Sequence, residues 1–227
     1  MCKNRYNNRY IVLELCASTL HHYIVGKYEA MPLEPISALH QMACGLQHIH
    51  SNGLVHRDIT PQNVLIQHCG DQSIVLKISD FGFCKSASER GSFSISKDGK
   101  GTRHFIAPEM LLQDGKDEQQ RRATIACDIF SLGCLFFCFL TKGGHPFSTE
   151  NDELMININI RSDKHNLDGK TNFMYKFYTA ITIFIVFFTE PGNSKLFARE
   201  IIKNMIQHEP GSRLKIDEVV VQLELDS

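Results

Sequence analysis

No charge of one sign dominates this 227-residue chain: 24 Lys and Arg stand against 25 Asp and Glu, a formal net charge of -1. That balance removes the electrostatic case for a nucleic-acid or anionic-membrane partner. The eight cysteines include no Cys-x-x-Cys pair. Cys127, Cys134 and Cys138 stand in apolar company, so buried, reduced thiols of an intracellular protein are expected rather than a disulfide framework. The eleven histidines lack the spacing of a zinc site; His21 with His22, and His48 with His50, read as surface or core residues. The opening from Met1 to Arg9 is polar and charged with no signal-peptide h-region behind it, so no secretory leader is expected. Repeats and low-complexity tracts are also missing, and a hydrophobic content of 43% suits one soluble globular unit.

Long apolar runs are scarce too. Phe177 to Phe188, dominated by Ile, Phe, Thr and Val, is about a dozen residues long, against the roughly 20 that a membrane-spanning helix needs. Within residues 173–189 this segment reads as an atypical apolar insertion. It is either an extra buried helix or strand, or a stretch foreign to the rest of the domain.

The remaining pattern predicts a mainly α fold with a small β component. Tyr10 to Leu15 is a β-branched, apolar run read as a buried strand, passing through Cys16–Leu20 into a short helix. Pro35 suits a first helical turn, and Ile36, Leu39, Met42, Ala43, Leu46 and Ile49 recur at helical spacing until Asn52-Gly53. Val64-Leu65-Ile66 and Ile74 to Ile78 read as two strands of a hairpin. Ala123 to Leu140 is apolar almost all round, which predicts a buried central helix, stopped at Gly143-Gly144. Helices over Leu196 to Met205 and Lys215 to Leu225 follow.

Short motifs occur in a fixed order: His56-Arg57-Asp58-Ile59-Thr60-Pro61-Gln62-Asn63, then Asp80-Phe81-Gly82, then Ala107-Pro108-Glu109. Phosphoryl transfer needs a carboxylate at the acceptor hydroxyl and oxygen ligands for magnesium, and otherwise position and charge. The set resembles the C-terminal lobe of protein kinases. Before His56 there is no glycine-rich loop, no strand lysine of the Val-Ala-Ile-Lys type and no helix glutamate to pair with it. The expectation is therefore one truncated kinase domain over residues 1–227, beginning at the hinge, with the N-terminal lobe largely absent.

Finer likeness lies in Tyr10 to Ala17, Ile78 to Lys85, Ile106 to Leu111, Asp128 to Cys134, Gly144 to Phe147 and Ala198 to Ile202. These stretches resemble the inositol-requiring enzyme family, the endoplasmic-reticulum stress sensors that join a kinase to an endoribonuclease. The resemblance implies ATP and Mg2+ as cofactors, Asp58 as the catalytic base, and Asn63 and Asp80 as magnesium ligands. Glu14 and Cys16 would offer hinge main-chain groups to adenine. Arg57 would meet a phosphorylated activation loop, with Ser92, Ser94 and Ser96 as autophosphorylation sites. Glu109 would pair with Arg213, and Asp128 would accept backbone N–H groups of the catalytic loop, because so deep a carboxylate must be bonded or paired.

One substitution departs from the pattern. Thr60 stands where serine/threonine kinases carry a lysine that neutralises the transferring phosphate, so this position belongs with the catalytic set as a point of weakness. Neither the family's ribonuclease module nor its lumenal sensor and anchor is expected in the chain. By analogy the protein acts on protein substrates or on itself, forms homodimers, makes no nucleic-acid contacts through this chain and works in the cytoplasm, at the cytosolic face of the endoplasmic reticulum. A catalytically inactive, kinase-like docking module is the alternative. Weak nucleotide binding and no autophosphorylation are expected of the chain by itself.

Overall fold

The computed structural model describes residues 2–3, 9–10, 12–28, 32–70, 73–88, 91–94, 103–111, 122–148, 153–167 and 193–225. The apolar insertion at 173–189 and Ser96 lie outside the described residues.

Helix α1 spans Leu20–Ile24, and Thr19 caps it by accepting from His22 N. The long helix α2, Pro35–Ser51, begins where Glu34 accepts from Ile36 N and Ser37 N, at 3.1 and 2.5 Å. A carboxylate over these orphan N–H groups and a proline in the first turn make a strong start signal. Ile36, Ala38, Leu39, Met42, Ala43, Leu46 and Ile49 turn inward, and Gly53, at φ +67°, releases the chain.

The structure departs from the sequence reading at Tyr10 to Leu15. Only Arg9–Tyr10 (β2) pairs, with Cys2–Lys3 (β1), while residues 12–16 join no ladder. Val12, Leu13 and Leu15 are 89%, 78% and 94% exposed. Composition marks a segment that suits a pleated, half-buried surface. A strand also needs a neighbour, and the pairing starts only at Ser18–Thr19 (β3), which runs antiparallel to Leu65 and Ile66.

Leu54–Val55 (β4) pairs with Lys85–Ser86 (β7), and β5, Val64–His68, forms the expected hairpin with β6, Ile74–Ile78, in a register that sets Val64 opposite Ile78. Ser92–Ser94 (β8) pairs with Arg122–Thr124 (β9). This second pairing explains why the central helix α4 covers Ala126–Leu140 rather than starting at Ala123. Every residue from Cys127 to Leu140 is buried, Asp128 and Ser131 being the polar exceptions. Helix α6, Asn193–Met205, crosses α4 at Gly133, where a Cβ would stand 2.8 Å from Ile206 Cγ2 and 2.9 Å from Met205 Cβ. Glycine is what permits so close an approach.

The short helices α3, Pro108–Leu111, and α5, Ile156–Arg161, flank the other side. Helix α7, Ile216–Leu225, closes against α2, with Gln47 donating to Asp217 at 2.8 Å. No helix among the described residues is long and apolar enough to cross a membrane. The seven cysteines from Cys16 to Cys138 are free thiols, and burial pushes Cys127 and Cys134 well above the usual thiol range and Cys138 up to about 12.

Arg213, at the foot of α7, ties these elements together. Its guanidinium meets the Glu109 carboxylate with two bonds of 2.8 Å. Its other N–H groups donate to the carbonyls of Ala126, Gln207 and His208 at 2.8 to 3.0 Å, and the Phe130 ring lies 5.1 Å away. The Arg213 side chain is fully buried and that of Glu109 is 13% exposed. Removing one side of such a pair costs about 3 to 5 kcal/mol, since the other charge is left buried. Arg213→Ala should therefore lower the thermal midpoint by roughly 10 °C. Scanning calorimetry beside the surface change Lys27→Ala decides, and equal midpoints for the two would refute the buried pair.

His145 sits beneath the segment Arg103–Phe105, which Ser131 holds by donating to Phe105 O at 2.6 Å. Its Nδ1 accepts from Phe147 N at 3.2 Å, and its ring meets Phe105 edge-on at 5.4 Å. Burial, and then the charge of His104, pull its pKa down to about 3. Between the ordinary histidine value of about 6.5 and that depressed value, the unfolded state binds the extra proton, so the chain loses stability as pH falls through this window. Above it the effect vanishes. Relative to His145→Asn, whose amide oxygen can still accept from Phe147 N, the wild type should lose about 1.4 kcal/mol more per pH unit below pH 6.5. Parallel denaturant titration curves for the two at pH 7 and pH 5 would contradict this.

Candidate active site

The loop from His56 to Asn63 leaves β4 and enters β5, so both of its ends are pinned by strands. Beneath it lies Asp128 on α4, wholly buried. Its Oδ2 accepts from His56 N at 2.8 Å and His50 Nε2 at 3.0 Å, and its Oδ1 from Arg57 N at 2.8 Å. A buried carboxylate demands such donors. The bond to His50 requires the proton on Nε2, which fixes the tautomer of that ring.

Arg57 takes φ +68°, a left-handed backbone uncommon for a side chain of this size. The Asp128 contact holds it there, and its Nε donates to Phe83 O at 2.5 Å. The guanidinium stands 5.8 Å from the ring of Phe93, which lies between Ser92 and Ser94. Ser94 is exposed, with its carbonyl taken by Lys85 Nζ at 2.9 Å; Ser92 is half-buried, its Oγ 2.9 Å from Ser88 Oγ.

His56, fully buried, donates from Nε2 to Ser79 O at 2.9 Å, and its Nδ1 accepts from Asp58 N at 3.3 Å. Its ring meets Phe81 edge-on at 5.4 Å. One imidazole thus joins the two motif loops. The hairpin joins them a second time, since Ser79 donates to Asn63 O from both N and Oγ, at 2.8 and 3.0 Å.

Asn63 Nδ2 donates to both Asp58 O and Asp58 Oδ2 at 2.8 Å. With its amide hydrogens committed, the side-chain oxygen of Asn63 is the atom left to meet a cation. Asp80, at φ +61°, caps the turn Phe81–Phe83 by accepting from Gly82 N at 3.1 Å through Oδ1. A Cβ on Gly82 would come within 3.0 Å of that oxygen. Asn63 and Asp80 present one amide oxygen and one carboxylate at adjacent ends of paired strands. Two protein oxygens fit Mg2+, which keeps several waters and takes substrate phosphate oxygens for the rest. No cluster of three or more His, Cys, Asp or Glu that could hold a metal by itself occurs among the described residues.

Thr60 is 1% exposed, and its Oγ1 has no hydrogen-bond partner among the described residues. It enters the turn Pro61–Asn63 in extended backbone without capping it. The Glu14 carboxylate accepts from Lys77 Nζ at 2.6 Å and Gln67 Nε2 at 3.0 Å, and the Lys77 bond holds it below the usual carboxylate range. Cys16 is half-buried close to the start of β3. Glu109 and Arg213 sit away from this loop, bonded to each other as described above.

Residues without a motif were missed by sequence reasoning. His50 was one histidine among eleven, and nothing local to it signals a bond to a residue on another helix. Lys77 reads only as a strand position, and Gln67 falls just past the strand read at Val64 to Ile66. Their period-two placement puts them on one face of the hairpin, which is a signal that exists in the sequence but points to no partner.

Residues 1–223 match the protein kinase domain family. The serine/threonine-protein kinase/endoribonuclease ireA of Aspergillus fumigatus is 37% identical over 191 residues, which cover 70% of this chain and 16% of that protein. Human serine/threonine-protein kinase/endoribonuclease IRE2 is 41% identical over 141 residues, 61% of this chain and 15% of the relative. The sensor for unfolded proteins in the ER ire1 of Schizosaccharomyces pombe is 30% identical over 233 residues, 93% of this chain and 20% of the relative. The chain spans between 15% and 20% of the length of these relatives. With a catalytic-loop motif, an Asp-Phe-Gly turn and an Ala-Pro-Glu helix joined by the contacts above, the chain belongs to the protein kinase domain family, and its curated relatives include the IRE1 and ireA sensors.

Proposed function

We propose that the chain is a serine/threonine kinase domain of the unfolded-protein-sensor type, transferring a phosphoryl group from ATP to a protein hydroxyl. One observation carries this reading: Asp58 is held by Asn63 while Asn63 is held beside Ser79 and Asp80 by the hairpin. Asp58 orients the acceptor hydroxyl and takes its proton. Asn63 and Asp80 hold magnesium, and bound Mg-ATP supplies the phosphoryl group and the charge compensation around it. Glu14 and Cys16 offer main-chain groups to adenine. Arg57, beneath Phe93, serves a phosphate on Ser92, Ser94 or Ser96. The names of the relatives give a serine/threonine-protein kinase and a sensor for unfolded proteins in the ER; self-phosphorylation or a protein substrate, a homodimer, and a place at the cytosolic face of the endoplasmic reticulum are carried over by family analogy alone.

A specific observation favours a second reading, a kinase-like docking module. Thr60 offers a buried hydroxyl where a cation would neutralise the transferring phosphate. Losing one preorganised electrostatic contact commonly costs about 3 kcal/mol in the transition state.

Single-turnover phosphate incorporation with Mg-ATP, measured in a version carrying a complete N-terminal kinase lobe, separates the two. If the chain is a kinase weakened at position 60, Thr60→Lys should raise the rate by roughly two orders of magnitude with little change in nucleotide affinity. Asp58→Asn should remove the incorporation. Equal rates for Thr60→Lys and wild type would dismiss the account of Thr60. No magnesium-dependent incorporation by either form would favour the docking module.

A further inference from the structure

Residues 12–16 run along the lobe without joining a strand ladder, and the apolar side chains at 12, 13 and 15 point to solvent. Two contacts fasten this stretch. Ala17 N donates to Ile66 O at 2.8 Å, and the Glu14 carboxylate accepts from Lys77 and Gln67. Lys77 pairs directly with Leu65 across the β5–β6 ladder, and Gln67 lies two residues beyond Leu65. Lys77 and Gln67 are therefore diagonal neighbours on one face of the hairpin, which is why both reach a single carboxylate.

The same hairpin carries the other end of the site. Strand β5 begins directly after Asn63, and β6 ends just before Ser79 and Asp80. Lys77 stands about 10 Å along the strand from Asp80. A stiff two-stranded element thus fixes the distance between residues 14–16 and the oxygens at Asn63 and Asp80.

We infer that Lys77, with Gln67, clasps Glu14 so that residues 14–16 form a fixed base-recognition edge, making Lys77 a positioning residue for nucleotide binding. The inference rests on the nucleotide-site reading of the proposed function and adds a residue outside the motifs. Both partners are partly exposed, with side chains 34% and 51% accessible, so the clasp matters for position and not for holding the fold. It should also weaken as salt screens it.

Calorimetric titration of the purified chain with Mg-ATP, with adenosine and with magnesium tripolyphosphate tests this. Lys77→Met should bind Mg-ATP and adenosine about threefold more weakly, the size of effect an exposed pair can transmit. Tripolyphosphate binding should be unchanged, because the phosphate end does not use the clasp. Lys77→Arg should restore adenosine affinity. Raising the salt from about 50 to about 500 mM should bring the wild type down to the adenosine affinity of Lys77→Met. Unaltered adenosine affinity in Lys77→Met overturns the clasp while leaving the kinase reading in place. Equal losses for adenosine and tripolyphosphate, or a clearly lower thermal midpoint, would show a general structural role and overturn it too. A wild type that binds neither adenosine nor Mg-ATP removes the nucleotide site and the inference together.

Discussion

A carboxylate with no access to water must have its lone pairs met, and Asp128 is met by the catalytic loop itself. The loop in turn needs Asp128, because the backbone of Arg57 at φ +68° persists only where its surroundings over-determine it. From this mutual dependence the remaining geometry follows in order. His56 is anchored at its N–H, its ring reaches Ser79, Ser79 grips Asn63, and Asn63 grips Asp58. The chemistry-bearing oxygens are thus placed by a chain of short bonds whose root lies in the most apolar of the described helices.

Much of this was legible before any coordinates. The period of α2, its proline start and its Asn-Gly end, and the two strands around the turn near Gly70 are local signals, each with its own physical cause. The deep acidic residue at 128 could be expected to seek donors because charge in an apolar run has no other option. What failed to show were properties that depend on a distant partner. Tyr10 to Leu15 has the composition of a strand, but an unpaired edge has nothing to pleat against, and composition is silent on that. Ala123 and Thr124 look like helix by hydropathy until β8 claims them for a ladder. His50 and Lys77 act through residues 78 and 63 positions away, a separation that no local pattern encodes.

Thr60 is where the local rules and the fold disagree. A buried threonine hydroxyl without a protein partner is unfavourable, and net costs of about 1 to 3 kcal/mol are usual for such a group. Around Thr60 the turn Pro61–Asn63 forms and Asn63 still reaches Asp58, so what position 60 changes is the group the loop offers. Sites tolerate such mismatches where stability comes from elsewhere, and here it comes from the helices below.

Arg213 carries a consequence of a different kind. Every N–H of its guanidinium has an acceptor: two carboxylate oxygens and three backbone carbonyls, those of Ala126 and of the adjacent Gln207 and His208. The arrangement is therefore a matter of valence as well as charge. An ammonium has only three hydrogens, set tetrahedrally rather than in a plane. Lysine at this position would keep the ion pair in name yet strand at least two of those acceptors in the interior, so the residue that joins Glu109 to α7 is specified by its number of hydrogens, and the most conservative exchange of charge is not conservative at all.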